Sequence, residues 1–329
     1  VSPFTTWATA ATNIQSAVDV ASPGETVWVS NGVYAAGTRV VGGVSNRVAV
    51  TNAITVRSLN GPGVTRIQGA AGVRGVYLAA GATMSGMTIT NGGSPSMSGG
   101  GVYGGTVFDC TLANNIGNCG GGAYTSRLER CIIRNNDGPA AGGVFGCDLF
   151  NCLLVGNTSD YAAATLCMLY NCTLVNNTGD AGSARYSSVV NSVLCGNAND
   201  SDGTTTFAYS QAPGIAGHGV GNVSDESIFV DAEGGNYRIR HNDAGVNAGT
   251  NGAWTVSAVD LDGQARVYPA GGRVDMGAYE SVSDAEAVHV GDTAIGLGDV
   301  GQFMIRNGTQ LVFVAGVVTN VLDMDVGTP

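Results

Sequence analysis

Cys110-Thr111-Leu112-Ala113-Asn114-Asn115, Cys131-Ile132-Ile133-Arg134-Asn135-Asn136, Cys152-Leu153-Leu154-Val155-Gly156-Asn157 and Cys172-Thr173-Leu174-Val175-Asn176-Asn177 are four copies of one short phrase. Ser192-Val193-Leu194-Cys195-Gly196-Asn197 continues it, and the steps between copies are 21, 21, 20 and 20 residues. A period near 20 with one residue type per row means stacked coils, each covering the core of the next. Within a copy the inward positions alternate, as in Cys131 and Ile133, and period two is strand spacing. The row Asn115, Asn136, Asn157, Asn177 and Asn197 ends each strand. Stacked Asn side chains at a bend can hydrogen-bond to one another and to the turn backbone, and Asn tolerates left-handed dihedrals. Gly99-Gly100-Gly101 and Gly120-Gly121-Gly122 permit a tight corner before the next strand. No helical stretch separates the strands, as one would in a leucine-rich repeat. The fold expected is all-β: a right-handed parallel β-helix of three short sheets, with coils about 4.8 Å apart.

Further rows share the step. Val107, Leu128, Leu149, Leu169 and Val189 precede the Cys row, and an aromatic row is expected at Tyr103, Tyr124, Phe145 and Tyr186, with Leu166 in the gap. The Cys row reads as small apolar filling rather than a metal site, because no CxxC pair or nearby His accompanies it. In-register parallel neighbours point the same way, which disfavours disulfides within the row. Cys147 and Cys167, one coil apart at a turn, are the pair where a disulfide is expected if anywhere.

The chain carries 52 Gly in 329 residues, 12% charged residues and a net charge of −11. An acidic surface argues against nucleic acid and anionic membranes as partners. All 14 basic residues are Arg, so no lysine nucleophile or Schiff base is available. The run Leu311 to Val318 is too short to span a bilayer. Val1 in place of an initiator Met reads as a processed chain, and a secreted or surface location is expected.

Three regions follow. Residues 1–26 form an N-terminal cap, with Thr12 and Gln15 as a capping box before a short helix ended by Pro23-Gly24. Residues 27–281 hold the coils, on the order of ten by repeat length. Residues 282–329 contain a hairpin, Phe303-Met304-Ile305-Arg306 returning through an Asn307-Gly308 turn. Its strands are apolar on both faces, too much for so small a piece to hide alone.

The candidate chemistry lies in one series. Asp160, Asp180 and Asp200 fall 20 residues apart with Asp202 beside them, and Tyr161 and Arg185 lie in the same loops. In register, these carboxylates stack along one edge, where like charges repel unless a cation such as Ca²⁺ sits between them. The edge could also supply paired carboxylates for glycoside hydrolysis, or an Arg base for elimination. Ordinary turn chemistry accounts for the same residues. Asp109 and Arg130 read as a surface pair. His218, His241 and His289 are isolated, and no cofactor motif is present. Outward positions Ile132, Leu153, Val155, Val175 and Val193 make an apolar stripe. Such a stripe is either a contact surface or is covered by another part of the same chain.

Trp7-Ala8-Thr9-Ala10, Ile14-Gln15-Ser16-Ala17 and Gly24-Glu25-Thr26-Val27-Trp28-Val29 resemble the opening of bacterial secreted proteins of the pectin-lyase-like superfamily. Asn222-Val223-Ser224-Asp225, Phe229-Val230-Asp231, Asp260-Leu261-Asp262-Gly263-Gln264-Ala265-Arg266 and Gly272-Arg273-Val274-Asp275-Met276-Gly277-Ala278-Tyr279-Glu280 are similar to the close of its "choice-of-anchor Q" members. The resemblance implies secretion and a variable C-terminal attachment device, not a particular reaction. The function expected is a secreted structural β-helix that assembles with itself, even into a filament, or attaches to a cell-surface component. Its interface would use Ile132, Leu153, Val155 and Val175 with Phe303, Ile305, Leu311 and Phe313. The alternative is a polysaccharide lyase, glycoside hydrolase or glycan binder using the Asp160 edge.

Overall fold

A computed structural model describes residues 4–180, 182–200, 203–252, 258–267 and 271–281, with strand backbones at Ala287–Val290, Thr293–Gly296, Gln302–Asn307 and Gln310–Ala315. The coil is a right-handed parallel β-helix with three sheets. The first has nine strands, from Thr26–Val29 to Thr206–Ala208. The second has eight, from Gly32–Tyr34 to Val193–Cys195, and the third eight, ending at Ala184–Arg185. Strands stack in register: Leu128 pairs with Leu149, and Ile133 with Leu154. Identical rows therefore meet in the interior. Val107, Leu128, Leu149, Leu169 and Val189 form one wall and Leu112, Ile133, Leu154, Leu174 and Leu194 another, all fully buried. Each such side chain contributes about 1.5–3 kcal/mol.

Every coil turns at corners where the chain enters the left-handed region. Asp109, Arg130, Asn151, Asn171 and Asn191 take φ of 50–53° just before the Cys row. Asn114, Asn135 and Asn176 take 52–56° before the Asn row. The left-handed residue is thus the one ahead of the expected Asn, which leaves the Asn side chain free to turn inward. There Asn115, Asn136, Asn157, Asn177 and Asn197 form a ladder. Each Nδ2 donates to the next Oδ1 at 2.9–3.0 Å, and Asn136 Nδ2 also donates to the Leu112 carbonyl at 2.9 Å. The ladder satisfies corner groups that water cannot reach.

The Cys row points inward, as its register requires, and all eight cysteines are free, Cys147 and Cys167 included. The row does more than fill space. Cys131 donates its backbone N–H to Cys152 Sγ at 3.4 Å, and Cys172 and Ser192 donate likewise to Ser192 Oγ and Ser210 Oγ at 3.0 and 3.2 Å. A second column repeats the device from Ser126 through Cys147 and Cys167 to Ser187. Burial pushes the Cys110, Cys131, Cys152 and Cys167 thiols well above their ordinary range, and that of Cys147 to about 12, which suits inert packing.

The cap helix spans Ile14–Val18, with Asn13 rather than Thr12 at its N-cap, accepting from Ser16 N–H at 2.8 Å. Gln15 has another task. Its amide accepts from Ala49 N–H at 2.8 Å and donates to the Ala49 carbonyl at 3.0 Å, pairing with the backbone of the third-sheet strand Val44–Val50.

The regular sheets end well before residue 281. The described stretches 228–252, 258–267 and 271–281 instead fold back across the second sheet. Tyr237, Ala278 and Tyr279, with Phe229 and Leu261, pack on Ile132, Leu153, Val155 and Val175. Ile239 and Met276 cover Val193. The outward stripe is therefore closed by its own chain and is not the exposed assembly interface expected of it: Leu153 and Val175 are 4% and 2% exposed. An aperiodic cover is invisible to a periodicity argument.

Beyond it lie two antiparallel hairpins, Ala287–Val290 with Thr293–Gly296 and Gln302–Asn307 with Gln310–Ala315. The first had no counterpart in the sequence reading. In the second, Asn307 pairs with Gln310, one residue further along than an Asn307-Gly308 turn requires. The side chains of Phe303, Ile305, Leu311 and Phe313 lie outside the described residues.

Candidate functional site

The loops that carry the Asp series stay in register. Thr158 bridges Thr178, and Asp180 N–H donates to the Asp160 carbonyl at 3.2 Å, so Asp160 and Asp180 sit one above the other, both exposed. Asp200 does not join them. Its Oδ1 accepts from Asn197 Nδ2 at 2.7 Å and so ends the Asn ladder. Burial, with Glu226 nearby, raises its carboxyl above the ordinary range, while the Asn197 bond pulls the other way. Asp202 lies outside the described residues. Among the described residues no three His, Cys, Asp or Glu side chains group as a metal site.

Arg185 gathers more than the acids do. Its guanidinium lies 4.9 Å from the Tyr161 ring and 4.7 Å from the Tyr186 ring, and Nη2 donates to the Tyr186 hydroxyl at 3.3 Å. Both rings are about half exposed, at 48% and 52%, with Leu166 and Met168 exposed beside them. Leu166 and Tyr186 sit at left-handed corners with φ of 56° and 49°, which throws their side chains outward.

This placement corrects the aromatic row. The third sheet pairs Phe145 with Thr165 and Thr165 with Arg185, so Leu166 and Tyr186 fall one position later. The residue lost when the step shortens to 20 comes from the turn before the strand, where the Gly-rich copies are longer. The true ladder runs Tyr77, Tyr103, Tyr124 and Phe145, with ring centroids 5.8, 5.2 and 5.6 Å apart. Thr165 and then Arg185 continue the same outward row. A second stack, Phe150 on Tyr170 at 5.3 Å, lies on the first sheet, with the Arg127 guanidinium 4.0 Å from the Phe150 ring.

Asp109 and Arg130 form the expected pair, Nε to Oδ1 at 2.7 Å, and Glu129 takes the other end of the guanidinium. A cavity of about 660 Å³ opens at the N-terminal cap between Trp7, Ile14, Val27 and Trp28, far along the coil from the Asp edge.

The sequence reading missed a buried ionic cluster inside the folded-back segment. Arg266 is fully buried, with Asp260, Asp275 and Glu280 around it and Asp243 close by. Asp260 Oδ1 accepts N–H from Asp262 and Gln264 at 2.9 and 2.7 Å, and Oδ2 accepts from Glu280 at 2.8 Å. Asp275 accepts from Asn247 at 2.7 Å, and Arg266 Nη2 donates to the Asp275 carbonyl at 2.7 Å. Arg266 Nε lies 3.6 Å from Glu280 Oε2. Burial, set against Arg266, lifts the Glu280 carboxyl to about 8, and burial also raises Asp275. One signal pointed here: six of a low-charge chain's charged residues, Asp260, Asp262, Arg266, Arg273, Asp275 and Glu280, fall inside the two end motifs quoted above.

No family model matches the chain, and no curated protein matches it in sequence. Solved structures with a similar fold include the pectate lyase Pel9A, with a TM-score of 0.45 and 13% identity over 84% of this chain and 92% of that one. Another is a pectin methylesterase in complex with a hexasaccharide, with a TM-score of 0.35 and 15% identity over 65% of this chain and 77% of that one. The likeness concerns the fold alone. Among the described residues no helix is long and apolar enough to cross a membrane.

Proposed function

We propose that the chain is a secreted or surface β-helix that binds a linear polysaccharide along its third sheet, without cleaving it. The observation that carries this reading is the Arg185 guanidinium held between two exposed rings, Tyr161 and Tyr186, two coils past the last ring of the ladder on the same row. Aromatic faces take up the apolar faces of sugars, and an Arg fork donates to hydroxyls or to a uronate carboxylate. A polymer lying along the coil axis meets one side chain of this row per coil. Binding is favoured over hydrolysis because Asp160 and Asp180 are exposed, whereas a general acid needs a carboxyl in apolar surroundings.

Affinity electrophoresis through neutral and acidic polysaccharides tests it. We expect retardation by at least one polymer, with Tyr186→Ala weakening binding by about 1 kcal/mol, roughly fivefold, and Arg185→Ala by at least as much. No retardation by any polymer, or variants that bind like the parent, sinks the reading. We expect chelation to leave binding and Tm unchanged, since two stacked carboxylates fall short of the six to eight oxygens, as an approximate count, that Ca²⁺ takes.

Attachment or self-assembly through residues 282–329 is the second reading. It is favoured by the hairpin Gln302–Asn307 with Gln310–Ala315, a two-stranded unit of a kind that is marginal alone. A chain ending at residue 281 should stay folded and become monomeric by light scattering. A full-length chain that is monomeric at high concentration removes the self-assembly version.

A further inference from the structure

Among the described residues, named polar contacts tie the segment covering the second sheet to the coil. Gly277 N–H donates to the Asn191 carbonyl at 2.7 Å, and Ala278 N–H to Thr173 Oγ1 at 2.9 Å. Asn191 also exchanges two hydrogen bonds with the Thr250 backbone, at 2.8 and 2.9 Å. Side-chain packing adds to these contacts, and the Arg273 guanidinium lies 5.7 Å from the Tyr209 ring. What holds the segment in shape is the buried cluster of Asp260, Arg266, Asp275 and Glu280, whose members come from separate stretches of it. We propose that the described stretches 228–252, 258–267 and 271–281 form a releasable strap, kept shut over the apolar stripe by this cluster and loosened as pH rises.

The charges decide the direction. Three carboxylates, Asp260, Asp275 and Glu280, share one buried guanidinium, Arg266, and Asp243 adds a further charge beside Asp275. Asp243 and Asp260 are well supplied with backbone donors. Asp243 accepts from Ile228 and Gly245 at 2.6 and 2.7 Å. Glu280 receives only long contacts, 3.4 and 3.3 Å from Asp275 N–H and 3.6 Å from Arg266 Nε. Among the described residues the coil adds no cation beside it: Thr173, Asn191 and the Cys172 thiol lie beneath the cluster. On the outer side Arg238 is already paired with Asp262 and lies 4.6 Å from the Tyr279 ring. A second full negative charge at Glu280 therefore has nowhere favourable to go unless the strap opens to water. Glu280 holds its proton more tightly in the closed strap than in the open one. Opening is least favourable below the ordinary glutamate value of 4.5 and becomes easier up to about 8, where the effect levels off.

Cys195 reports on the opening. Its thiol is covered by Glu226 and Ser227, just ahead of the strap, at 3.9 Å each, whereas half-buried Cys119 lies elsewhere on the coil. Maleimide labelling of the full chain, followed by mass spectrometry, gives the Cys195-to-Cys119 ratio against pH. Hydrogen-exchange protection of 228–281 relative to the coil gives a second readout. We expect both to show opening that increases by up to about tenfold per pH unit from pH 6 to 8 and then flattens. Met276→Ala, which loosens packing without touching charge, should raise the whole curve and keep its slope. Glu280→Gln should remove most of the slope. A parent curve that stays flat across this range, a slope unchanged in Glu280→Gln, or a strap and coil that lose protection together would overturn the proposal.

Discussion

The coil and the strap bury polar groups in opposite ways. In the coil, the inward Asn of the bend row meets another Asn one coil away, and the N–H groups of two corner columns meet a Cys or Ser of the next turn. Energy is spread over nearest-neighbour steps, so the whole stack responds to a fault in any one of them. In the strap, unlike groups meet once. Asp260, Arg266, Asp275 and Glu280 form a single cluster, with Met276 and Tyr279 as its apolar grip on the coil. A repeat makes stability collective; a single cluster makes it local.

The largest effect that tests this contrast is Asn136→Leu. It removes the acceptor of Asn115 N–H and Nδ2, and the donor to Asn157 Oδ1 and the Leu112 carbonyl. Each orphaned group costs about 1–3 kcal/mol, so a loss of several kcal/mol is expected in denaturant titrations, with coil and strap unfolding together. A smaller loss would mean that ladder groups find water. Next come two deletions of equal burial. Leu154→Ala should cost about 2–5 kcal/mol on the main transition. Met276→Ala should leave that transition nearly in place and raise only the strap-opening readouts, Cys195 labelling and hydrogen exchange of the strap. A shared drop would show that strap and coil are one cooperative unit. The finest test is the Cys column. Cys152→Phe should overpack the coil by about 1–3 kcal/mol. Cys152→Ser should change stability by about 1 kcal/mol or less, because Ser192 and Ser210 already accept the same corner N–H in the same column. A large Ser penalty would mean that sulfur packing, not the corner bond, holds the row.

How far the sequence could be read depended on periodicity. The Cys and Asn rows and the inner walls stand where the spacing put them. Tyr186 and Leu166 slipped by one, because a repeat of 20 does not say which corner gave up the residue that a repeat of 21 has. Asp200 shared the spacing of Asp160 and Asp180 but not their place. At the end of the Asn ladder, Asn197 Nδ2 lacks a further Asn and takes Asp200 instead. The Arg185 site was half legible: Tyr161 and Arg185 stood in the same loops, but two left-handed corners brought Tyr186 alongside.

The sequence alone determined the coil, its register, its inward rows and the ladder at its bend, because each coil repeats its neighbour and local spacing states the contact directly. The tertiary structure alone decided what covers Ile132, Leu153, Val155 and Val175, and how Asp260, Arg266, Asp275 and Glu280 come together. Those contacts join residues from a few to more than a hundred positions apart, once each. They follow from shape, desolvation and charge pairing in three dimensions, and nothing in a linear period marks them.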